Sequence, residues 1–298
     1  MVALCSILRH FIASKPHIRD TMQQRPQFWQ DDADFFLCAT RLLYELTSYE
    51  TYFYCVCGEG SDTDRPMADL AKLYQDYIGN LSNFCSKTPI IDLVAVVLDQ
   101  WFEHIESNAS MDSVHLIPFF EASISNVLFF VSNLLTVTTK FSAQFKSHLA
   151  KDTVLIQNVA LPCLLFELDL LERGNYMPEN ITRHTKVLML IVKVVSLVSN
   201  KIKMFRPWLR KFPFLGARMI KNSVLIQSDA KLEYAALVIR FIINAELNDS
   251  VAAITDFHNT LTNIEKHRLA LRLCNPREKM YPVNIFCETY NLLRDVFA

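Results

Sequence analysis

Along most of its length the chain sets apolar residues three and four positions apart, with polar residues between them. Met67, Leu70, Leu73, Tyr74, Tyr77, Ile78 and Leu81 show the pattern cleanly. After Thr88-Pro89 it returns in Ile90, Ile91, Val94, Val97, Leu98, Trp101, Phe102 and Ile105. This spacing gathers apolar side chains on one stripe of a helix, so each stretch predicts an α-helix with one buried face. Similar stretches cover 2–12, 35–54, 114–137, 153–172, 232–241, 254–269 and 283–297. Asp31 or Asp32, Asp229, and Asp249 or Ser250 stand where N-caps are expected. Pro118 is expected to interrupt its stretch, Pro162 to mark a kink or boundary, and Gly174 to end that second stretch. The β-branched run 187–198 fits a strand in isolation. Its length and helical neighbours instead predict a helix buried on most faces, with Lys193 at its edge.

The clearest loop is Gly58-Glu59-Gly60-Ser61-Asp62-Thr63-Asp64-Arg65-Pro66, with a disordered segment expected at 58–65. It has neither the Lys-Ser/Thr nor the preceding strand of a phosphate loop, and its acids repel phosphate. The prediction is about a dozen helices joined by short connections in a single domain, 1–298, without an obvious linker.

Composition supports an all-α chain. Glycine occurs 5 times in 298 residues, against a usual share of about 7%. Parallel α/β folds and β-hairpins both consume glycine at their turns. Hydrophobic residues make up 51% and charged residues 20%, so the chain has a core to bury. No uninterrupted apolar run reaches the roughly 18 residues of a membrane span. Polar residues break the longest candidates (Ser123, Ser125, Asn126, Ser132 and Asn133 in one, Lys193 in another), so no transmembrane segment is expected.

Four helices carry a shared motif, hydrophobic residues leading into small or amide ones. They are Leu42-Leu43-Tyr44-Glu45-Leu46-Thr47-Ser48, Phe130-Val131-Ser132-Asn133-Leu134-Leu135, Val194-Val195-Ser196-Leu197-Val198-Ser199-Asn200 and Arg240-Phe241-Ile242-Ile243-Asn244. From Ser48 through Asn133 and Asn200 to Asn244 the steps are 85, 67 and 44 residues, the last matching one helical repeat and the first matching two. Here the chain resembles armadillo/HEAT-type repeat proteins, Val131-Ser132-Asn133-Leu134-Leu135 being similar to the leucine–asparagine signature of an armadillo repeat's third helix. That resemblance implies an irregular ARM/HEAT-like α-solenoid and makes Asn133, Asn200 and Asn244 candidates for holding an extended peptide in a groove. The chain departs from it in lacking the usual glycine between the first two helices and in its uneven period. A compact multi-helix bundle is the alternative.

Charge changes the picture most. The chain carries 30 Lys+Arg and 31 Asp+Glu, yet 180–228 holds ten basic residues and no acid. Aromatic residues interleave at Phe205, Trp208, Phe212 and Phe214. Lys and Arg neutralise anions and aromatic rings anchor or stack, so Lys201, Lys203, Arg206, Trp208, Arg210, Lys211, Arg218 and Lys221 are the candidate partner-binding residues. A protein partner with an acidic segment is expected, since nucleic-acid-binding domains usually carry a basic excess and this chain's net charge is −1. Nucleic acid or anionic lipid is the alternative, and the bland reading is a solvated helix face.

No catalytic motif stands out. The eight cysteines form no C-x-x-C pair, the eight histidines no H-x₃-H, and no metal site or cofactor is expected. Glu167, Asp169 and Glu172 lie close in sequence, Asp169 and Glu172 sharing a helix face, but solvated carboxylates balanced by Arg173 account for them. With no signal-peptide pattern, the cysteines are expected reduced and the protein intracellular, cytoplasmic or nuclear. The resulting expectation is a non-enzymatic scaffold or adaptor, with an all-α enzyme of undetected site as the remaining alternative.

Overall fold

Among the described residues of the computed structural model, every regular element is helical. The described residues are 2–14, 29–48, 51–52, 67–107, 117–136, 144–145, 147–149, 154–173, 178–199, 209, 211–226 and 229–273. These contain twelve helices. The chain packs as two compact units, Met1–Cys163 and Leu164–Ala298. The division falls inside one continuous helical stretch, so no Pro/Gly/Ser-rich linker marks it in the sequence. The expected 58–65 loop and 283–297 helix lie outside the described residues.

The first unit contains α1 (Val2–Ser14), α2 (Trp29–Thr47), α3 (Met67–Lys87), α4 (Ile90–Ser107) and α5 (Ile117–Thr136). It also holds the π-helical segment Val154–Ala160, which runs into α6 (Leu161–Arg173). Asp31 and Asp32 lie within the first turn of α2 rather than capping it, where their charge still suits the helix dipole. Pro118 does not interrupt its helix: it sits at the second position of α5, where a missing N–H leaves no bond unmade. Pro162 similarly lies just inside α6. Its ring would crowd the carbonyl four residues back, and the wider turn of the preceding π segment relieves that clash.

Helices α2 and α5 lie parallel. The Asn126 amide donates to Thr40 Oγ1 (3.4 Å), the Tyr44 and Phe129 rings pack at 4.4 Å, and the Asn133 amide donates to the Thr47 carbonyl (3.2 Å). A near-constant offset along both helices means the same direction and register. Helix α3 crosses their C-terminal ends: the Tyr74 and Tyr77 hydroxyls donate to the Thr47 and Leu46 carbonyls (2.6 and 2.8 Å), and the Ser82 hydroxyl reaches Leu134 O (3.3 Å). The core here is apolar and includes Phe36, Leu43, Val94, Leu98, Trp101, Phe120, Leu128 and Phe130. Glu121 is an exception, fully buried on α5.

The second unit holds most of α6 together with α7 (Pro178–Ser199), α8 (Leu215–Asn222), α9 (Asp229–Asn244), α10 (Val251–Thr260) and α11 (Asn263–Leu273). The run 187–198 lies within α7, with Val187, Leu188, Ile191, Val192, Val194 and Val195 fully covered. Lys193 is half-buried on the same helix; burial pushes its pKa down while Glu233 opposes the shift. The ends of α7 and α9 meet where the Asn244 amide donates to Ser196 Oγ (3.0 Å). Helices α9 and α11 run parallel, tied by Lys231–Glu265 (3.3 Å) and by Arg240 Nη2 donating to the Arg272 carbonyl (2.5 Å).

Among the described residues, two helices are long and apolar enough to cross a membrane by length and composition, Ile117–Leu135 and Val154–Arg173. Mean hydropathy tolerates the scattered Ser and Asn that break an uninterrupted run. About three fifths of each apolar window is buried inside the protein (61% and 56%). Lys72–Lys87 and Ile90–Glu106 meet the same test only together, across a 69° bend.

Candidate functional site

Of the candidate partner-binding residues, Lys211, Arg218 and Lys221 belong to the described residues, whereas Lys201, Lys203, Arg206, Trp208 and Arg210 lie outside them. The first three sit on and just before α8. This short helix is fixed at its start by close backbone packing. A Cβ on Gly216 would land on Ser250 Oγ and within 2.7 Å of Ile242 Cγ1, so only glycine lets α8 approach this closely. Across that contact, α9 ends in a Schellman pair: Glu246 N–H donates to Ile243 O (3.1 Å) and Leu247 N–H to Ile242 O (3.0 Å), with Glu246 in left-handed backbone. The sharp stop brings Asp249 around to α8, where its carboxylate accepts the Phe214 N–H at 2.8 Å.

Phe214 is the unusual residue of this edge. It occupies left-handed backbone (φ 62°, ψ 13°), which costs an L-residue about 1–2 kcal/mol through crowding of its Cβ. Its side chain is 65% exposed. Phe214 is the residue just before α8, Arg218 and Lys221 lie inside the helix, and Leu225 ends the 3-10 turn Ser223–Leu225 that follows it. Lys221, Leu225 and the adjoining Val224 are exposed, as is Lys211 just before the helix.

Arg218 differs from its two lysine neighbours. Its guanidinium binds Asp169 and takes Glu172 in bidentate fashion (2.7 and 2.8 Å), while the Asn222 amide adds a bond to Glu172 (3.0 Å). The arginine's hydrogen bond and charge hold the Glu172 carboxyl below its usual range, and those carboxylates push the guanidinium pKa up. Asp169 and Glu172, one helical turn apart on α6, therefore meet in a single clasp to α8, and most of the positive charge of Arg218 is consumed inside the unit. Lys211 and Lys221 are exposed cations in the same segment as the exposed Phe214, whose N–H is bound by the exposed Asp249 carboxylate.

The groove candidates Asn133 and Asn244 bind within their own units, Asn133 to the Thr47 carbonyl and Asn244 to Ser196; Asn200 lies outside the described residues. The bonds tie one copy of the shared motif to another, Thr47 to Asn133 and Ser196 to Asn244, which is a packing role for the motif's polar positions.

Sequence reasoning missed one pair. Glu167 and His184 are both buried, and His184 Nδ1 lies 2.5 Å from Glu167 Oε2, the geometry of an imidazole N–H donating to a carboxylate. A readable signal existed. Glu167 falls in register with Leu164 and Leu171, and His184 with Val187, Leu188 and Ile191, so each polar residue sits on its helix's apolar stripe. Carboxylate and imidazole are donors suited to a divalent metal, but here the two groups are bonded to each other. Of the described cysteines, Cys5, Cys85 and Cys163 are buried and Cys38 exposed, all as free thiols. Burial and nearby Cys5 raise the Cys85 pKa to about 12, which leaves that thiol unreactive.

Comparison with protein-family models, with curated proteins and with solved structures finds no match.

Proposed function

We propose that the chain is a non-enzymatic adaptor that binds an acidic protein segment at the α8 edge. The observation that carries this reading is the pairing of exposed Lys211 and Lys221 with the exposed Phe214 ring, while the acids around them are engaged: Asp169 and Glu172 by Arg218, Asp249 by the Phe214 N–H. An aromatic ring flanked by cations is the composition that anchors an acidic, partly apolar segment. The proposed scaffold is an irregular ARM/HEAT-like solenoid. It is supported by parallel stacking of α2 on α5 and of α9 on α11, the relation that equivalent helices of successive repeats adopt.

The test is fluorescence anisotropy with a short fluorescein-labelled Glu/Asp-rich peptide. Binding is expected to weaken at least about tenfold in Lys211→Glu/Lys221→Glu and to fall steeply with salt, with circular dichroism unchanged. Indifference of the peptide to that double reversal ends the assignment.

A second reading, association with an anionic lipid surface, is favoured by the two membrane-length apolar helices. It predicts flotation with phosphatidylserine vesicles that the acidic peptide does not compete away. Absence of flotation removes it.

A further inference from the structure

Helix α11 has two apolar sides, and the second unit packs on one of them. Leu269 and Leu273 are buried, whereas Ile264 and Leu271 are 69% and 58% exposed. Ile264 and Leu271 stand two turns apart on one face, roughly half a turn around the helix from the buried pair. The exposed His267 and Arg268 lie between them. One exposed apolar side chain is ordinary; two in register, opposite the buried side, make a second stripe.

What holds α11 in place makes no use of that outer face. Its start is a capping box, in which the Thr262 N–H donates to Glu265 Oε2 (2.9 Å) and the Glu265 N–H to Thr262 Oγ1 (3.3 Å). Lys231 of α9 pairs with Glu265 near this end, and Arg240 of α9 donates to the Arg272 carbonyl at the other. Helix propensity does not call for a β-branched residue at a solvated position such as Ile264 either.

The sequence beyond α11 carries a complement. Val283, Phe286, Tyr290, Leu293 and Phe297 follow one another at alternating steps of three and four, the seam of an amphipathic helix, in a segment outside the described residues. Residues 274–282 join it to α11, and Pro276 and Pro282 among them favour a break between the two. Fully extended, this connection reaches roughly 30 Å, against about 16 Å for the whole of α11. A tether this short holds the seam beside α11 at an effective concentration on the order of millimolar. That favours this segment over a second copy of the chain or a foreign protein.

We infer that segment 283–297 packs as a helix along the outer face of α11, its seam covering Ile264 and Leu271 while the polar ends of His267 and Arg268 reach solvent at the rim. The contact adds a helix to the second unit and is independent of the α8 surface and of the adaptor reading.

The experiment is hydrogen–deuterium exchange on the full chain, comparing wild type with Ile264→Ser/Leu271→Ser and with Phe286→Ser/Leu293→Ser, and using a free synthetic 283–297 peptide as reference. In wild type the 283–297 amides are expected to exchange at least about tenfold more slowly than in the free peptide. The α11 double variant should remove that protection while α7 and α9 keep theirs, and the segment double variant should speed exchange in α11. Wild-type exchange as fast as the free peptide overturns the contact, as does protection that survives Ile264→Ser/Leu271→Ser. Protection that fades on dilution places a second copy on the face and overturns the intrachain assignment. Should the α11 variant also loosen α9, the segment variant decides: faster exchange in α11 supports the contact, and unchanged exchange there overturns it.

Discussion

The two units join their helices by different chemistry. In the first, neutral groups do the joining: Asn126 on Thr40, Asn133 and Tyr74 on the Thr47 carbonyl, Tyr77 on Leu46, and Ser82 on Leu134. In the second, charged groups take over much of that work. Arg240 binds a helix-end carbonyl, His184 and Glu167 face each other in the core, and Arg218 clasps Asp169 and Glu172. Neutral bonds to carbonyls respond little to pH or salt. Buried and clasped charges respond to both, and losing one partner costs more than losing a neutral bond. The second unit is accordingly the one expected to depend more on its ionisable residues, and it also carries the candidate surface.

The largest expected break in this comparison comes from the buried pair. His184→Ala leaves the Glu167 carboxylate in an apolar core without its imidazole partner, for which about 3–5 kcal/mol is the usual loss. Replacing both residues by leucine is expected to cost less than either single truncation, since neither member of the pair is left behind without the other. Urea unfolding of the three variants checks this; a double variant worse than both singles sinks the idea that the pair contributes through charge compensation.

Next is Gly216→Ala, which forces a methyl group onto Ser250 and Ile242. Overpacking at such a contact costs about 1–3 kcal/mol. Because the new methyl pushes α8 off the Asp249 turn, peptide binding at the Phe214 edge is expected to fall with it. A variant as stable as wild type would mean that the α8 contact yields easily.

Asparagines at matching motif positions sharpen the comparison further. Asn244 is buried and Asn133 half-buried. The Thr47 carbonyl keeps the Tyr74 hydroxyl when the Asn133 amide is removed. Asn244→Ala is therefore expected to cost about 1–2 kcal/mol and Asn133→Ala about 0.5–1 kcal/mol, measured by chemical denaturation. Equal losses would erase the distinction between a bond with a second donor and one buried in the core.

How much of this could be read in advance follows the range of each interaction. Helix positions follow from periodicity, which is local, so α3, α4 and the buried part of α7 stood out in the sequence. Where the structure differs, the cause is also local: Pro118 lies in a first turn, and Asp31 and Asp32 lie inside α2 rather than at its cap. The amide positions were legible as a motif, but their partners were not, because Asn133 meets Thr47 across 86 residues and Asn244 meets Ser196 across 48. Asp169 and Glu172 were visible as neighbours, and Arg218 as part of a basic window. Only folding shows that the three bind one another, which leaves Lys211 and Lys221 as exposed basic side chains among the described residues of this edge. The division into two units left no compositional trace because it falls within a helix.

The smallest effect expected is a pH dependence of the Arg218 clasp. Hydrogen bonding to Arg218 lowers the Glu172 pKa, so the folded protein binds that proton less readily than the unfolded chain does. A carboxylate with a depressed folded pKa adds stability that is fully present above its unfolded value of about 4.3 and is lost as pH falls through the folded value. The Glu172 side chain is 42% exposed, so solvent screens much of the gain. Between neutral pH and the acid side of that range, the second unit should lose stability more gradually in Glu172→Gln than in wild type, because the variant has already surrendered that contribution. Protonating Glu172 also releases part of Arg218, adding a cation beside Lys221. The salt dependence of acidic-peptide binding should therefore steepen slightly in Glu172→Gln at neutral pH. An unchanged acid slope would place Glu172 outside the interactions that stabilise the second unit, whereas an unchanged salt slope would show that Asp169 alone neutralises Arg218.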